Sequence, residues 1–426
     1  MRRPNRRQIL GAAAAGTAAL ALGGFPAIAA GAAPKVVVVG GGFGGATAAK
    51  YIRLMDRRID VTLVEREPRY ITCPFSTLVL AGSRSLPALT HDLAPLGVEY
   101  ALSLVQDSAT AVDLGARRIR LAGGQELPYD RLVLAPGIDV DFSAVPGYDA
   151  AAAQLAPHAW KAGAQTLLLQ RQLQAMPDGG LVIIAAPVNP FRCPPGPYER
   201  AGLIAWYLKQ QKPKSKILIL DAKDSFSKQA LFEQGWQQLY PGMIEWLSGS
   251  TGGKVSRIDA KTLTLETEFG SRTGAVVNFI PPQRAGAIAV QAGLADMSGW
   301  CPVDPRTLES TLHPGVHVIG DAIIAGPMPK SGSAAPSQTP VCAAAVVAAL
   351  AEQPAGDPAF TSTCYSFVAP RYAISVTESF RLGDKGIATV PHSGGVSPLD
   401  APLARRQQEA LFAEGWYSGI TEDCFG

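Results

Sequence analysis

Short runs of β-branched residues alternate with helical segments from residue 35 onward. Residues 36–39 are four consecutive valines, which favour a strand buried on both faces of a parallel sheet. Residues 46–49 are small, and small residues let a helix pack closely on that sheet. Residues 60–64 form the next apolar run, so the pattern predicts a β-α-β unit.

A glycine-rich turn joins the first predicted strand to the helix. Gly40, Gly42 and Gly45 satisfy G-x-G-x-x-G, and Glu65 ends the second strand twenty residues later. Glycine permits a sharp turn and lets backbone N–H groups approach a pyrophosphate at the positive end of the helix. The terminal acid is an acceptor for ribose hydroxyls. Glycine-rich loops also occur without nucleotides, but the strand, the turn, the small-residue helix, the second strand and the terminal acid in this register together predict a dinucleotide site.

A second β-α-β rhythm lies in the middle of the chain, and its first loop has a different composition. Residues 180–185 and 216–220 are apolar runs typical of buried strands, with a predicted helix over residues 198–209 between them. The loop at residues 186–197 contains five prolines and one glycine. Proline lacks the N–H donor that a pyrophosphate requires. The sequence therefore predicts a nucleotide-type domain that has lost NAD binding; the alternative is a tolerant NAD loop.

Four further segments have recognisable patterns, and the last three of them bear on the same predicted site. Residues 97–121 alternate apolar runs with turns, which is typical of a β-meander. The strand that ends at Gly137 stops in a turn of the kind where two-dinucleotide-domain flavoproteins return to the flavin. Residues 316–319 predict a strand that brings Asp321 to a ribityl hydroxyl, and the alanine-rich helix predicted over residues 338–350 directs its positive end at the flavin.

The first 29 residues have the composition of an export signal and alter the charge balance. Four arginines precede an apolar run over residues 9–25, and residues 27–29 form a small-x-small cleavage site. The last two of these arginines, Arg6 and Arg7, are adjacent and resemble a twin-arginine signal. The alternative, a membrane anchor, is disfavoured because the run is short and rich in Ala and Gly. Without these four arginines the 38 basic residues fall to 34 against 35 acidic ones, and a near-neutral protein gives no indication of nucleic-acid binding. The arginines are Arg2, Arg3, Arg6 and Arg7.

The chain contains six cysteines, and their spacing excludes several kinds of site. No C-x-x-C is present, so neither a zinc ribbon nor a thioredoxin motif is predicted. The absence of C-x-x-C-H means that this chain does not attach a c-type haem. Because an exported protein meets an oxidising compartment, a disulfide is permissible. The six are Cys73, Cys193, Cys301, Cys342, Cys364 and Cys424.

Several short motifs together resemble the flavoprotein subunits of flavocytochrome c sulfide dehydrogenases, within the glutathione-reductase-like superfamily that includes sulfide:quinone reductases. The resemblance covers the whole chain. Its most specific pieces are YITC at 70–73, FRCPPGPYER at 191–200, IPPQRAG at 280–286, GWCPVD at 299–304, HVIGDA at 317–322, MPKSG at 328–332 and TCYS at 363–366.

This resemblance implies the roles of five residues. Cys73 would carry FAD through a thioether, and Cys193 and Cys364 would form a redox disulfide over the flavin. The resemblance also implies that Glu199 belongs to the catalytic group and that Trp416 covers the flavin. Hydrosulfide would open the disulfide, and FAD would pass the electrons singly to a separate cytochrome c subunit.

The expected fold class is α/β, with two Rossmann-like dinucleotide-binding domains of the glutathione-reductase type and a small C-terminal α+β domain. The predicted mature protein is periplasmic and has no stable membrane insertion. The predicted boundaries are 1–29 for the twin-arginine signal peptide, 30–150 for the first part of the FAD-binding domain, 151–284 for the second Rossmann-like domain, 285–359 for the return to the FAD-binding domain and 360–426 for the C-terminal domain.

The cysteines and the glutamate of the predicted active site have simpler alternative roles. Cys73 could be an ordinary buried thiol, and Cys193 with Cys364 could be a structural staple between distant segments. Cys342 is a rival partner for Cys193, although its place inside a predicted helix favours a core thiol. Glu199 could act only as a charge at a helix N-terminus, instead of moving protons.

Three functions remain open at the level of sequence. The first is the sulfide dehydrogenase subunit. The second is a sulfide:quinone reductase-like enzyme on a membrane, and the polar stretch at residues 405–409 argues against the amphipathic surface that it needs. The third is a flavoprotein with mainly a binding or chaperone-like role. In that case the addition of sulfide would not bleach the flavin.

Overall fold

The four valines predicted as a buried strand form the centre of a parallel sheet in a computed structural model that describes residues 32–426. Residues 34–426 form one compact unit. The predicted signal peptide at 1–29 lies outside the described residues.

The described residues contain nine α-helices. They are α1 (Phe43–Met55), α2 (Ser76–Leu80), α3 (Ala94–Tyr100), α4 (Ala164–Ala175), α5 (Gly196–Gln211), α6 (Gln229–Leu239), α7 (Ala287–Gln291), α8 (Ala334–Leu350) and α9 (Leu403–Phe425).

The same residues contain 23 strands. Those before residue 150 are β1 (Lys35–Val39), β2 (Asp60–Glu65), β3 (Arg69–Ile71), β4 (Thr90–Asp92), β5 (Ser103–Gln106), β6 (Ala109–Asp113), β7 (Arg118–Leu121), β8 (Glu126–Pro128), β9 (Arg131–Leu134) and β10 (Ile138–Val140). Those after it are β11 (Leu181–Ala186), β12 (Lys216–Asp221), β13 (Ile244–Leu247), β14 (Val255–Asp259), β15 (Thr264–Thr267), β16 (Gly270–Thr273), β17 (Val276–Phe279), β18 (Gln283–Ala285), β19 (Val316–Val318), β20 (Ala359–Ala369), β21 (Tyr372–Gly383), β22 (Gly386–Thr389) and β23 (Gly395–Val396).

The first sheet has the order β19-β9-β1-β2-β5, and all of its pairs are parallel. The last four residues of β1 are buried, as expected for a strand covered on both faces. Helix α1 packs against α8 on this sheet. Because β1, β2, β9 and β19 are parallel, their carboxyl ends meet at one edge, which is where such sheets bind ligands. The predicted α/β fold is confirmed.

The second sheet has the order β13-β12-β11-β17 and is also parallel. The two segments that connect the parallel sheets pair with each other as the separate antiparallel sheet β10-β18, and the chain then returns to the first sheet through β19. The second Rossmann-type unit therefore lies between strands of the first in chain order.

Two predicted elements have different bounds. Residues 97–100 belong to helix α3, and β5 joins the first sheet, so the antiparallel meander is confined to β6, β7 and β8. Helix α8 begins at Ala334 and not at residue 338. Pro336 lies in the first turn of the helix, where a proline loses no intrahelical hydrogen bond, so it is compatible with this earlier start.

The C-terminal segment consists of a long antiparallel hairpin, β20-β21, and the 23-residue helix α9. Strand β20 packs on α5 of the second Rossmann-type unit, while α9 packs on α1 of the first. Lys50 in α1 donates hydrogen bonds to the carbonyl oxygens of Asp423 (2.8 Å) and Gly426 (3.2 Å). The segment therefore holds the two units together over one face. Between residues 32 and 426, no helix combines the length and apolarity needed to cross a membrane.

Candidate active site

One pocket lies where the first sheet, helix α5 and the C-terminal segment meet. It contains three of the six cysteines together with Glu199 and Trp416. Its lining residues are Cys73, Pro74, Phe75, Ser76, Thr77, Ala159, Trp160, Arg192, Cys193, Gly196, Glu199, Arg200, Ser331, Gly332, Ser333, Thr363, Cys364, Tyr365 and Trp416. The fold thus brings together residues up to 343 positions apart that the sequence marked for one site.

The glycine turn has the close backbone approach that a dinucleotide loop requires. Gly40 has φ +107°, and a Cβ there would lie 2.4 Å from the carbonyl oxygen of Ala135. A Cβ at Gly45 would lie 1.8 Å from the carbonyl oxygen of Gly40. Glu65 accepts a hydrogen bond of 2.6 Å from the N–H of Gly41, so it also holds the turn in place. Gly42 immediately precedes α1, as predicted for phosphate binding.

Asp321 supplies an unused acceptor beside this turn. It follows β19, and its Oδ1 is buried without a hydrogen-bond partner, while Oδ2 lies 3.9 Å from Nη1 of Arg192. Burial raises the pKa of this carboxyl. A buried polar atom without a partner costs free energy unless a ligand satisfies it, and a sugar hydroxyl would do so.

The positive end of α8 lies at the same site, because residues 331–333 line the pocket just before the helix begins. Gly137 adopts φ +65° with open space around its Cα, consistent with the predicted turn at the flavin. Together with the glycine turn and Asp321, these features fit FAD: the turn would hold the pyrophosphate, Asp321 the ribityl chain and α8 the pyrimidine ring.

Cys73 lies in the loop after β3, on the pocket wall. Its Sγ is 3.7 Å from the carbonyl oxygen of Trp160, and part of the residue is exposed. The loop is fixed by the neighbouring Thr72, which is fully buried and has its Oγ1 2.7 Å from the hydroxyl of Tyr417 in α9. The predicted attachment site therefore faces the predicted flavin pocket.

Cys193 has an unusual backbone that presents it to the pocket. Its φ is +57°, a conformation that costs about 1 kcal/mol or more for a residue with a side chain. The carbonyl oxygen of Lys330 holds it by accepting a 2.8 Å hydrogen bond from its N–H. Burial, Cys364 and Glu199 raise the pKa of the Cys193 thiol, while Lys228 and Arg192 oppose that rise.

Cys364 lies in the middle of β20, opposite Val376 of β21, and lines the same pocket. All six cysteines are free thiols in this structure, so the disulfide between Cys193 and Cys364 stays a prediction about the oxidised protein. The exposure of the cysteines separates them into two sets. The three that line the pocket are partly exposed, whereas Cys301, Cys342 and Cys424 are fully buried.

Cys342 has the surroundings of a core residue. It lies inside α8 with 0% of its surface exposed, and burial alone raises the pKa of its thiol. It does not line the pocket. The placement supports Cys364, and not Cys342, as the partner of Cys193.

Glu199 is in the first turn of α5 and is 8% exposed. Its Oε1 accepts a 3.1 Å hydrogen bond from the N–H of Phe367 in β20. Burial raises its pKa to about 7, against the hydrogen bond and the charge of Lys228. A carboxyl that titrates near neutral pH beside two thiols is suited to proton transfer.

The place where NAD would bind in the second unit is filled by the protein's own side chains. Asp221, the acid at the end of β12, is 0% exposed and accepts hydrogen bonds from the Tyr198 hydroxyl and from Nε1 of Trp246 (3.0 Å). Phe226 stacks on Tyr198 with ring centroids 3.6 Å apart. The N–H of Arg192 in the proline-rich loop is bonded to Gln283, so this donor too is already used. These contacts support the predicted loss of NAD binding.

Sequence reasoning missed Trp160, Arg192 and Lys228. Arg192 stands next to Cys193 and could have been noticed from that position. Trp160 and Lys228 belong to no motif, and only the fold brings them to the pocket cysteines.

The fold and the site define a flavin-dependent oxidoreductase of the pyridine nucleotide-disulphide oxidoreductase class, whose family model matches residues 34–175. Two further family models match residues 166–281, "Sulfide dehydrogenase (flavocytochrome c) flavoprotein chain, central", and residues 356–425, "Flavocytochrome c sulphide dehydrogenase, flavin-binding". Over 45 residues the chain is 62% identical to the sulfide dehydrogenase (flavocytochrome c) flavoprotein chain of Chlorobaculum thiosulfatiphilum, covering 94% of that sequence and 11% of this chain. The chain belongs to the flavocytochrome c sulfide dehydrogenase flavoprotein family.

Sulfide:quinone oxidoreductases are more distant relatives. The mitochondrial enzyme of Mus musculus is 25% identical over 311 residues, which is 67% of this chain and 65% of that protein. The chain thus matches just under two thirds of the length of this relative. The sulfide:quinone oxidoreductase structure from Aquifex aeolicus superposes with a TM-score of 0.71 at 19% identity over 92% of both chains, which shows the shared fold.

Proposed function

We propose that this protein oxidises sulfide at Cys193 and Cys364 beside a covalently held FAD and passes the electrons to a cytochrome c subunit. The observation that carries the proposal is the convergence of Cys73, Cys193 and Cys364 on one pocket. The first would anchor the flavin, and the other two would receive the substrate.

The side chains account for the first chemical step. The sulfur of hydrosulfide bonds to one cysteine sulfur, the bond between Cys193 and Cys364 breaks, and its electron pair leaves with the other cysteine as a thiolate. Glu199 accepts the proton of the resulting persulfide, since its pKa of about 7 leaves much of it ionised at neutral pH. FAD held in this pocket would supply the redox chemistry, since a flavin can take up two electrons as a pair and release them singly.

Trp160 and Trp416 give the pocket apolar walls. Helix α9 carries Trp416, and Tyr365 packs against it with ring centroids 6.1 Å apart. An apolar, partly closed pocket restricts water around the persulfide and strengthens the charge interactions within it.

Quinone is a second candidate acceptor, and a specific observation favours it. The polar stretch at residues 405–409 argued against a membrane-facing surface, but Arg406 and Glu409 are turned inward and are at most 2% exposed. Leu411 and Phe412 on the same helix are instead 71% and 47% exposed. An apolar face beside Trp416 would suit contact with a lipid surface.

The acceptor is tested with the holoprotein, sulfide and two electron acceptors in separate reactions. A small soluble c-type cytochrome should be reduced rapidly, and a short-chain ubiquinone should be reduced slowly. Rapid quinone reduction with no cytochrome reduction would contradict the proposed acceptor. No reduction of either, with the flavin still oxidised, would contradict sulfide oxidation itself.

The compartment forms part of the same proposal. The arginine pair at positions 6 and 7 and the cleavage site near residue 29 support twin-arginine export to the periplasm. A Lys-Lys replacement of that pair should retain the protein in the cytoplasm, as shown by cell fractionation. Unchanged export would contradict this route.

A further inference from the structure

Lys228 is a charged residue that connects the second Rossmann-type unit to the cysteine pair. It immediately precedes α6, and its Nζ donates hydrogen bonds to the carbonyl oxygen of Cys364 (3.0 Å) and to Oγ of Ser366 (2.8 Å). Ser366 is fully buried in β20. The ammonium group therefore lies against the backbone of one of the two pocket cysteines.

The backbone of Lys228 is in a conformation that a lysine seldom adopts. Its φ is +62°, in the left-handed region where glycine has no steric penalty. A side chain there costs about 1–2 kcal/mol, and such residues persist where the surrounding structure holds them. The two hydrogen bonds to β20 supply that compensation.

Other charges around the cysteines help to define the part that Lys228 plays. Glu199 on α5 is the nearby acid, and Arg200 on α5 and Arg192 in the preceding loop are the other cations. Arg200 is already bonded to the carbonyl oxygens of His158 and Ala159 and to the side chain of Asn278. Lys228 is the cation whose hydrogen bonds go to the cysteine-bearing strand itself.

We infer that Lys228 is a positioning residue, which clamps the Cys364–Ser366 segment of β20 beside Cys193 and supplies the positive charge that stabilises the thiolate of the pair. The inference rests on the proposed function for its use in catalysis, but the charge effect exists without sulfide. The charge of Lys228 opposes the burial that raises the pKa of Cys193 and of Glu199.

The direct test is thiol reactivity in the reduced holoprotein. Alkylation of Cys193 by iodoacetamide is followed by mass spectrometry from pH 6 to 10, in Lys228→Met, Lys228→Arg and the unaltered protein. Alkylation requires the thiolate, so the pH midpoint should move upward in Lys228→Met, with roughly tenfold slower reaction at pH 8. Lys228→Arg keeps the charge and should restore most of the rate. Lys209→Met is the matched control, because that exposed lysine also bonds a carbonyl oxygen, that of Leu239, and does not line the pocket.

Two results would overturn the inference. One is an unchanged pH midpoint in Lys228→Met, and the other is a shift that Lys228→Arg fails to reverse. If Lys228→Met does not fold, Ser366→Ala is the second variant, because it removes one hydrogen-bond partner of Lys228 and keeps the charge. It should loosen strand β20 without moving the pH midpoint of alkylation. A moved midpoint in Ser366→Ala would count against the charge effect. Since alkylation uses no sulfide, a failed sulfide assay in the unaltered protein would refute the proposed function alone.

Discussion

Burial raises the pKa of Glu199 to about 7, and the charge of Lys228 opposes that rise. The stability and the activity of the protein should therefore depend on pH. An ordinary glutamate has a pKa of 4.5, so between these values the folded protein binds more protons than the unfolded chain. The free energy of unfolding should therefore fall as pH rises through this window, by roughly 2–4 kcal/mol from this group. Urea unfolding at pH 5 and pH 8 measures this fall in the free energy of unfolding. The fall should be absent in Glu199→Gln and should persist in the control Glu233→Gln, which changes an exposed glutamate.

The same substitution should affect the reaction. Glu199→Gln cannot accept the persulfide proton, so bleaching of the flavin by sulfide should slow by roughly a hundredfold at pH 8. Stopped-flow absorbance measures this directly. A Glu199→Gln protein that bleaches at the unaltered rate would show that the carboxylate is only a charge at the start of α5.

Cys73 gives a second prediction at the scale of a single residue. Acid precipitation should leave the yellow colour in the pellet of the unaltered protein, and Cys73→Ser should release it to the supernatant. Cys301→Ser is the matched control, because that cysteine is fully buried and does not line the pocket. Flavin lost freely from the unaltered protein would disprove the covalent bond.

Among the elements, the proline-rich loop before α5 together with β12 determines which reductants are used. Tyr198, Phe226 and Trp246 occupy the space at the end of β12, and Asp221 already has its hydrogen bonds within the protein. We expect that micromolar NADH and NADPH neither bind nor bleach the flavin, and isothermal calorimetry with absorbance checks both. Rapid bleaching by NADH would show that the loop still serves a nicotinamide nucleotide.

Helix α9 supplies a prediction about stability. Arg406 is 0% exposed and contacts Glu409 (3.4 Å) and the carbonyl oxygen of Pro398 (2.7 Å). Arg406→Met leaves a buried carboxylate with one cation fewer, so it should lower the free energy of unfolding by about 3 kcal/mol. Arg405→Met, on the exposed neighbour, should cost under about 1 kcal/mol, and equal losses in the two variants would contradict this account.

The elements also show where sequence patterns suffice. The β1 valines and the glycine turn were predictable because a doubly buried strand and a phosphate turn each impose a local composition. Residues 97–100 were not, since a short helix with Pro95 in its first turn and short apolar strands differ little in periodicity. The inward side chains of Arg406 and Glu409 were missed because charged residues are seldom buried unless paired, and their partners lie on other segments.

At the scale of the whole molecule, the site depends on the C-terminal segment closing over both Rossmann-type units. Cys364 and Trp416 come from that segment, Cys193 and Glu199 from the second unit, and Cys73 from the first. From the sequence, only the family resemblance predicted that these residues converge on one site. Lys228, which no motif includes, could be found only from the fold, because its contact with β20 joins residues 136 positions apart.

The central claim is that Cys193 and Cys364 act as a pair between sulfide and the flavin. The most direct measurement is anaerobic stopped-flow bleaching of the flavin by sulfide in Cys193→Ser, Cys364→Ser and Cys342→Ala. We predict no fast bleaching in the first two, with FAD still attached, and a near-normal rate in the third, whose cost is a packing defect of about 1 kcal/mol. Fast bleaching in Cys364→Ser, or its loss in Cys342→Ala, would contradict the assignment.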